Sequence, residues 1–487
     1  MAAIPESISP EFSAREFFSK YIAQRKPVVI SGLPDDPSFA ARKWSSDSLN
    51  HLANKAGDTK VLVEPMHPAA KQFGTDVQRI SMTFRDFLES LQSAEGPYHY
   101  LTTQYSGEEW DELTMFSPPT NTLRGDFPEV PRLMGNLFLQ QANLWLGKSK
   151  DGSSSGLHHD FHDNLYCLLK GRKRFVLFPP KEHVNLYPYG TVHTVYENGV
   201  VAYDRMLRAD GLDYRVALRT RVSLLKKQLD VLDAGKVKSK GKGKGRAATK
   251  ERKALEKEYL TLREELEELA EDEQYGFPLE DDEDDVERIE DGSDLGSLAG
   301  SLAGEDDYDA LMGDDGLDAE QGSNNNEGQS GDSIENGDKA EEDPPSFSRI
   351  PTAVLHKQLE LPTTAISPPD STPVDFPNLA KASPPYVVEL SAGQMLYLPA
   401  SWWHEVTSSS DGEADVHMAL NWWFYPPDAD SFEEPYEDKA VWEYLRQNAP
   451  KVSNNAESGK PDTILEGTEG KRKRDDGEES STKKAKK

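Results

Sequence analysis

The sequence holds a single cysteine, Cys167, in 487 residues, which excludes an intramolecular disulfide and any zinc module built on several cysteines. It has no apolar run of about 18 or more residues, the length a membrane helix needs. Its start, MAAIPESISPEF, lacks the basic-then-apolar order of a secretory signal. Apolar residues are scarce at 36%, and 55 Lys and Arg face 86 Asp and Glu. The resulting net charge of -31 argues against broad electrostatic binding to nucleic acid, which needs a basic face. A soluble intracellular chain without a membrane partner is expected, part of which builds no core.

Globular character is confined to two stretches, and the pattern suits one domain with a long insert. Residues 1–205 carry helix-like spacing at Phe17, Phe18, Tyr21 and Ile22, around Leu49 and Leu52, and through Phe84, Phe87 and Leu91. Strand candidates lie at 27–30, 61–63, 98–104, 142–147, 164–169 and 174–178, separated by Gly, Pro and Asp turns. Many short strands of this kind predict a mainly β fold, a sandwich or double-stranded β-helix with flanking helices. The second globular stretch, 345–450, repeats the strand pattern at 385–390, 394–399 and 417–425 and closes with a helix near 437–447.

Between them, 206–278 is charged and helical in period. Tyr214, Leu218, Val222, Leu225, Leu229 and Leu232 form one seam, and Leu255, Tyr259, Leu262, Leu266 and Leu269 form a heptad-like second. A helical hairpin or short coiled coil around the basic 235–246 loop is expected, with two solvated helices as the alternative. The Asp/Glu/Gly/Ser-rich stretch 279–344 has too few apolar side chains to fold and is expected to be disordered. The tail 451–487 ends in two basic clusters, 471–474 and 483–487. These read as a bipartite nuclear localisation signal, with cytoplasmic residence also allowed, or as a merely solubilising tail.

The chemistry-bearing run is Gly156-Leu-His-His-Asp160. On a strand, residues i and i+2 share a face, so His158 and Asp160 project together while His159 points away. A third ligand is offered by His404, in Gly393-Gln-Met-Leu-Tyr-Leu-Pro-Ala-Ser-Trp-Trp-His404, where a strand ends at Pro399 and a turn carries the imidazole to its rim. Two imidazoles and one carboxylate on one octahedral face leave three positions open, the ligand set of non-haem Fe(II) oxygenases. A structural zinc site would instead close its fourth position. Spacing alone does not separate such a centre from a chance grouping.

The longer run from His158 to Pro180, with Asn164 four residues after Asp160, Gly171-Arg-Lys173 and Phe178-Pro-Pro180, resembles the core of the jumonji-C (JmjC) family. It is similar in particular to the cupin-like hydroxylase branch that includes the asparaginyl hydroxylase of hypoxia-inducible factor. Gly393–His404 and Asn421-Trp-Trp-Phe-Tyr425 match the family's later motifs, with Gln394 where an acid is frequent. The resemblance implies a JmjC jelly-roll core split by the insert and an oxygenase using Fe(II), 2-oxoglutarate and O₂. It assigns His158, Asp160 and His404 to iron and Lys173 to the distal carboxylate of 2-oxoglutarate. Asn164, Asn421, Tyr100 and Ser155 are implied as further co-substrate contacts.

Within that family the expected reaction is hydroxylation of a protein side chain, with histone N-methyl-lysine demethylation as the alternative and a protein substrate at chromatin as the expected partner. A tRNA-modifying hydroxylase and a catalytically silent binding protein remain further alternatives, and the basic 235–250 loop leaves a local nucleic-acid contact open. The lone cysteine stands against the zinc-bound reader modules that multidomain demethylases carry. Trp402 and Trp403 are expected to pack beneath the ligand turn, and Cys167 to act as a small buried hydrophobe.

Overall fold

The computed structural model describes residues 4–45, 49–66, 73, 77–93, 99–104, 115–149, 152–238, 245–274, 344–362, 375–412 and 415–448. The acidic stretch apart from Pro344, and the basic tail, lie outside the described residues.

Two facing sheets make the core. The smaller has four strands, β7 (Ser153–His158), β9 (Arg172–Phe178), β12 (Tyr386–Ser391) and β14 (Trp403–Ser409), in the order β12-β9-β14-β7. The larger has nine, built on β6 (Leu139–Gly147), β8 (Asp163–Lys170), β13 (Met395–Leu398) and β15 (His417–Phe424). β2 (Val28–Ile30) and β1 (Ser7–Ile8) extend it on one side. On the other it is extended by β5 (His99–Leu101), β3 (Lys60–Pro65) and β4 (Ile80–Thr83). Every pair in these sheets is antiparallel except β1 with β2. Eight antiparallel strands in two sheets, with chain from both halves of the sequence in each, form the jelly-roll expected from the strand pattern. A separate two-stranded ribbon pairs β10 (Thr194–Val195) with β11 (Val201–Ala202), the latter fully buried.

The sequence explains these elements locally. β8 and β15 are buried along nearly their whole length, so they read as continuous apolar runs rather than alternating ones. Gly171, at φ +78, makes the one-residue turn from β8 into β9, where a Cβ would come within 2.7 Å of the Ser409 carbonyl. That reversal sends Lys173 back across the core. The Phe84–Gln92 helix is capped by Thr83, whose side chain accepts from the Asp86 amide, and buries Phe84, Phe87, Leu88 and Leu91. The 14–24 stretch is not one regular helix: Ala14–Phe17 gives way to a π-turn over Phe18–Ile22. The wider turn lets Phe17, Phe18, Tyr21 and Ile22 all face the core.

Helices Tyr214–Lys238 and Gly245–Gln274 of the insert lie against each other, tied by Tyr214 Oη to Glu265 at 2.5 Å and Arg252 Nε to Asp233 at 3.0 Å. The first buries Val216, Ala217, Leu218, Val222 and Leu225 and meets the Lys439–Asn448 helix, where Lys227 Nζ reaches Tyr444 Oη at 3.1 Å.

Candidate metal centre

β7 and β14 pair so that His404 stands directly opposite His158. The two imidazoles lie 4.3 Å apart between ring centres. His158 Nδ1 sits 3.2 Å from the Gly156 carbonyl and His404 Nδ1 2.9 Å from the Trp402 carbonyl. A carbonyl only accepts, so each Nδ1 carries a hydrogen and each Nε2 is the ring nitrogen left to face a metal. Both Nε2 atoms turn to Asp160, 3.9 Å from its Oδ1 for His158 and 3.7 Å from its Oδ2 for His404.

The three donor atoms lie within 4.8 Å of one another. Burial first, and then His404, holds the His158 imidazole well below its ordinary pKa, so it is neutral. Burial raises Asp160, against His404 and the hydrogens of Trp423 and Asn164, which favour its charged form. Two imidazoles oriented by backbone carbonyls and one carboxylate fit a divalent metal with open positions.

Two details differ from the sequence-based expectation. β7 ends at His158, so Asp160 lies in the turn before β8 rather than on the same strand. His404 is the second residue of β14, not part of a rim turn; Ser401, at φ +61, makes the turn and the strand begins at Trp403.

The triad borders a cavity of about 710 Å³, its mouth included, also lined by Lys173, Tyr100, Asn164 and Ser155. Lys173 is 1% exposed and donates to Tyr100 Oη at 3.0 Å and to Ser408 Oγ, its cross-strand neighbour on β14. Burial pushes its ammonium down to about 7. Among the described groups its bonds are to two neutral hydroxyls, so a bound carboxylate is the natural partner for its charge.

Ser155 lines the cavity, but its hydroxyl accepts from the Val406 amide at 3.1 Å, where β14 bulges against β7. Asn421 is fully buried behind the lining: its Nδ2 donates to Asn164 Oδ1 at 3.1 Å and its Oδ1 accepts from Trp145 Nε1 at 2.8 Å. It meets the cavity through its two partners, Asn164 and Trp145, which both line it.

Other residues of the triad's motifs have other employment. His159 bonds Tyr203 Oη at 2.8 Å and packs edge-on to Trp403. His162 is buried against Trp423 and Tyr425. Asp163 turns away from the triad to Arg25. Trp402 and Trp403 sit in two different apolar clusters. Cys167 is buried, and burial pushes its thiol up. Gln394 accepts from the Ser391 amide at 2.9 Å, a turn bond for which an amide serves as well as an acid.

Glu64, Thr102, Trp145, Ser408 and Trp423 also line the cavity and were not anticipated from the sequence. For Trp145 and Trp423 a signal existed: on the paired strands β6 and β15 they share the parity of Asn143 and Asn421.

Comparison with known proteins agrees with this geometry. The cupin-like domain family matches residues 14–430. The chain belongs to the cupin-like JmjC family. It is 33% identical over 454 residues to JmjC domain-containing protein 4 of Schizosaccharomyces pombe, covering 90% of this chain and 88% of that one. JmjC domain-containing protein E of Dictyostelium discoideum is 28% identical over 36% of this chain and 52% of its own. A protein of Arabidopsis thaliana named lysine-specific demethylase JMJ31 is 25% identical over 36% of each. As a JmjC protein the chain falls among oxygenases and demethylases, oxidoreductases in kind.

Proposed function

We propose that this chain is an Fe(II)- and 2-oxoglutarate-dependent oxygenase that hydroxylates a protein side chain. The reading rests on one observation: two carbonyl-oriented imidazoles and a carboxylate border the same closed-in cavity as a buried lysine. Bound iron would supply the chemistry of the family, in which 2-oxoglutarate, O₂ and a C–H bond become succinate, CO₂ and C–OH.

The residues present do the rest. His158, Asp160 and His404 would hold the metal. Lys173, assisted by the Tyr100 and Ser408 hydroxyls, anchors the distal carboxylate of 2-oxoglutarate. Asn164 favours the charged form of Asp160. Tyr166, Phe175 and Trp423 give the cavity aromatic walls that would limit water inside it.

Demethylation of N-methyl-lysine is the second reading, favoured by the name of the Arabidopsis relative. A nuclear location and chromatin partners rest on the basic clusters of the tail alone. The test is succinate release by the purified chain with Fe(II), 2-oxoglutarate and nuclear-extract protein, together with mass spectrometry of proteins trapped by Asp160→Ala. A gained oxygen atom supports hydroxylation; a lost methyl group establishes the second reading instead. Succinate release unchanged in His158→Ala overturns both.

A further inference from the structure

The polarity of the buried amide pair Asn421–Asn164 is fixed by a residue outside the motifs. Trp145 Nε1 lies 2.8 Å from Asn421 Oδ1, and Asn421 Nδ2 lies 3.1 Å from Asn164 Oδ1. An amide side chain can present oxygen or nitrogen to a neighbour and flips at little cost when the neighbour takes either. An indole N–H only donates. With Trp145 donating, Asn421 must face it with oxygen, so the Asn421 nitrogen faces Asn164. Asn164 must then accept on its oxygen, which leaves its own NH₂ for the remaining side, where its hydrogen bond to Asp160 works against the burial that raises that carboxyl.

Strand register builds this chain of donors. Asn421 pairs with Asn143 on β6 and Trp423 pairs with Asn164 on β8, so Trp145, Asn421 and Asn164 share the inner face of the large sheet. Trp145 is steadied by Trp423, edge-on at 6.2 Å, and by Tyr100 at 6.0 Å.

We infer that Trp145 is a positioning residue of the metal centre: its N–H sets the orientation of Asn421, hence of Asn164, so that hydrogens rather than a lone pair face Asp160. Without that N–H both amides can flip together. Asn164 Oδ1 would then face the carboxylate, oxygen against oxygen, and the metal would lose a well-placed ligand. The inference rests on the metal-site reading above.

Co(II) binding to the full chain, followed by its visible absorption without 2-oxoglutarate, tests it. Trp145→Phe keeps the aromatic body and removes the donor. It is expected to weaken Co(II) about tenfold, the low end for outer partners of metal ligands, with the thermal midpoint little changed. Asn164→Ala should show a similar loss, and Trp145→Phe added to Asn164→Ala should weaken binding no further, because the two act in series. Should Trp145→Phe fail to fold, benzothienylalanine at 145, with sulfur in place of the N–H, serves as the second variant and must show the same loss.

Affinity within twofold of the parent in the folded variant overturns the inference, as do losses that multiply in the double variant. A parent chain that binds no Co(II), or binds it equally with His158→Ala, overturns the metal-site reading itself and the inference with it.

Discussion

Arg25 closes a two-pronged ion pair on Asp163, Nη1 to Oδ2 at 2.7 Å and Nη2 to Oδ1 at 2.5 Å, three residues beyond the metal-site Asp160. Asp163 also accepts from Tyr397 Oη at 2.7 Å and the Ala400 amide at 2.9 Å. One fully buried carboxylate thus ties the N-terminal segment, the start of β8, and the turn that leads into β14. Removing the guanidinium strands that charge. Arg25→Ala is expected to lower stability by about 3–5 kcal/mol in urea unfolding. The exposed pair Arg172–Asp411 provides the contrast: Arg172→Ala should cost less than about 1 kcal/mol.

On the proposed reading, Lys173 should make co-substrate binding pH-dependent. Burial lowers its pKa to about 7, against about 10.4 for a free lysine. The ammonium is therefore present in the folded, empty protein below about pH 7 and lost above it. Two neighbours at that end do not titrate with it: burial and then the Glu64 charge raise Tyr100, while burial and then Lys173 keep His417 neutral. Calorimetric titration of 2-oxoglutarate, anaerobic and with Mn(II), should show affinity flat below pH 7 and falling up to about tenfold per unit above it. Lys173→Met should bind weakly, with no break in that range. The stability linkage has the same origin: between about pH 7 and 10.4 the unfolded chain binds the extra proton, so this group's contribution rises with pH there.

How much of this was legible in the sequence depended on what each strand buries. β8 and β9 announce themselves because their inner faces are Leu, Tyr, Phe and Val. β14, Trp403–Ser409, was invisible as a strand because much of what it buries is polar. Glu405 is fully buried against Ser154, Thr407 and His356, and Ser408 meets Lys173. β7, Ser153–His158, was read as a strand only from the His-x-Asp run at its end, since its serines give no apolar alternation. A period-2 pattern of hydrophobicity fails where polar groups satisfy each other inside, and that is where the candidate site lies. The candidate metal triad was legible through motif resemblance, whereas the relay proposed from Trp145 needed the register of β6 against β15.

Gly147 gives Tyr100 its place beside Lys173. A Cβ there would lie 2.7 Å from Tyr100 Cδ2 and 3.0 Å from His417 Cε1. Both rings are packed, Tyr100 between Phe73, Trp145 and His417, so neither has free room to retreat. Gly147→Ala should cost about 1–3 kcal/mol of stability through overpacking. By pushing the phenol off Lys173 it should also weaken 2-oxoglutarate more than it weakens Co(II). Parallel titrations of the two ligands check this, and equal losses would point to general softening of the site.

Phe347 lies flat on His158, ring centres 4.8 Å apart and planes within 15°. It belongs to the segment that re-enters the core after the insert. There Ser348 N bonds Leu157 O at 2.8 Å and His159 N bonds Ser346 O at 3.2 Å, so the segment runs alongside the end of β7. The Gly156 carbonyl fixes one edge of the His158 imidazole, and Phe347 covers one face. Phe347→Leu keeps most of the buried volume and loses the flat surface, so its stability cost should stay below about 1.5 kcal/mol. The imidazole gains freedom to tilt, and Co(II) affinity should drop several-fold. Phe87→Leu, in the Phe84–Gln92 helix away from the site, is the control: it should cost comparable stability and leave Co(II) affinity unchanged. A loss of affinity in Phe347→Leu alone would show that the chain returning from the insert steadies a metal ligand, whereas equal losses in both would assign the effect to the core as a whole.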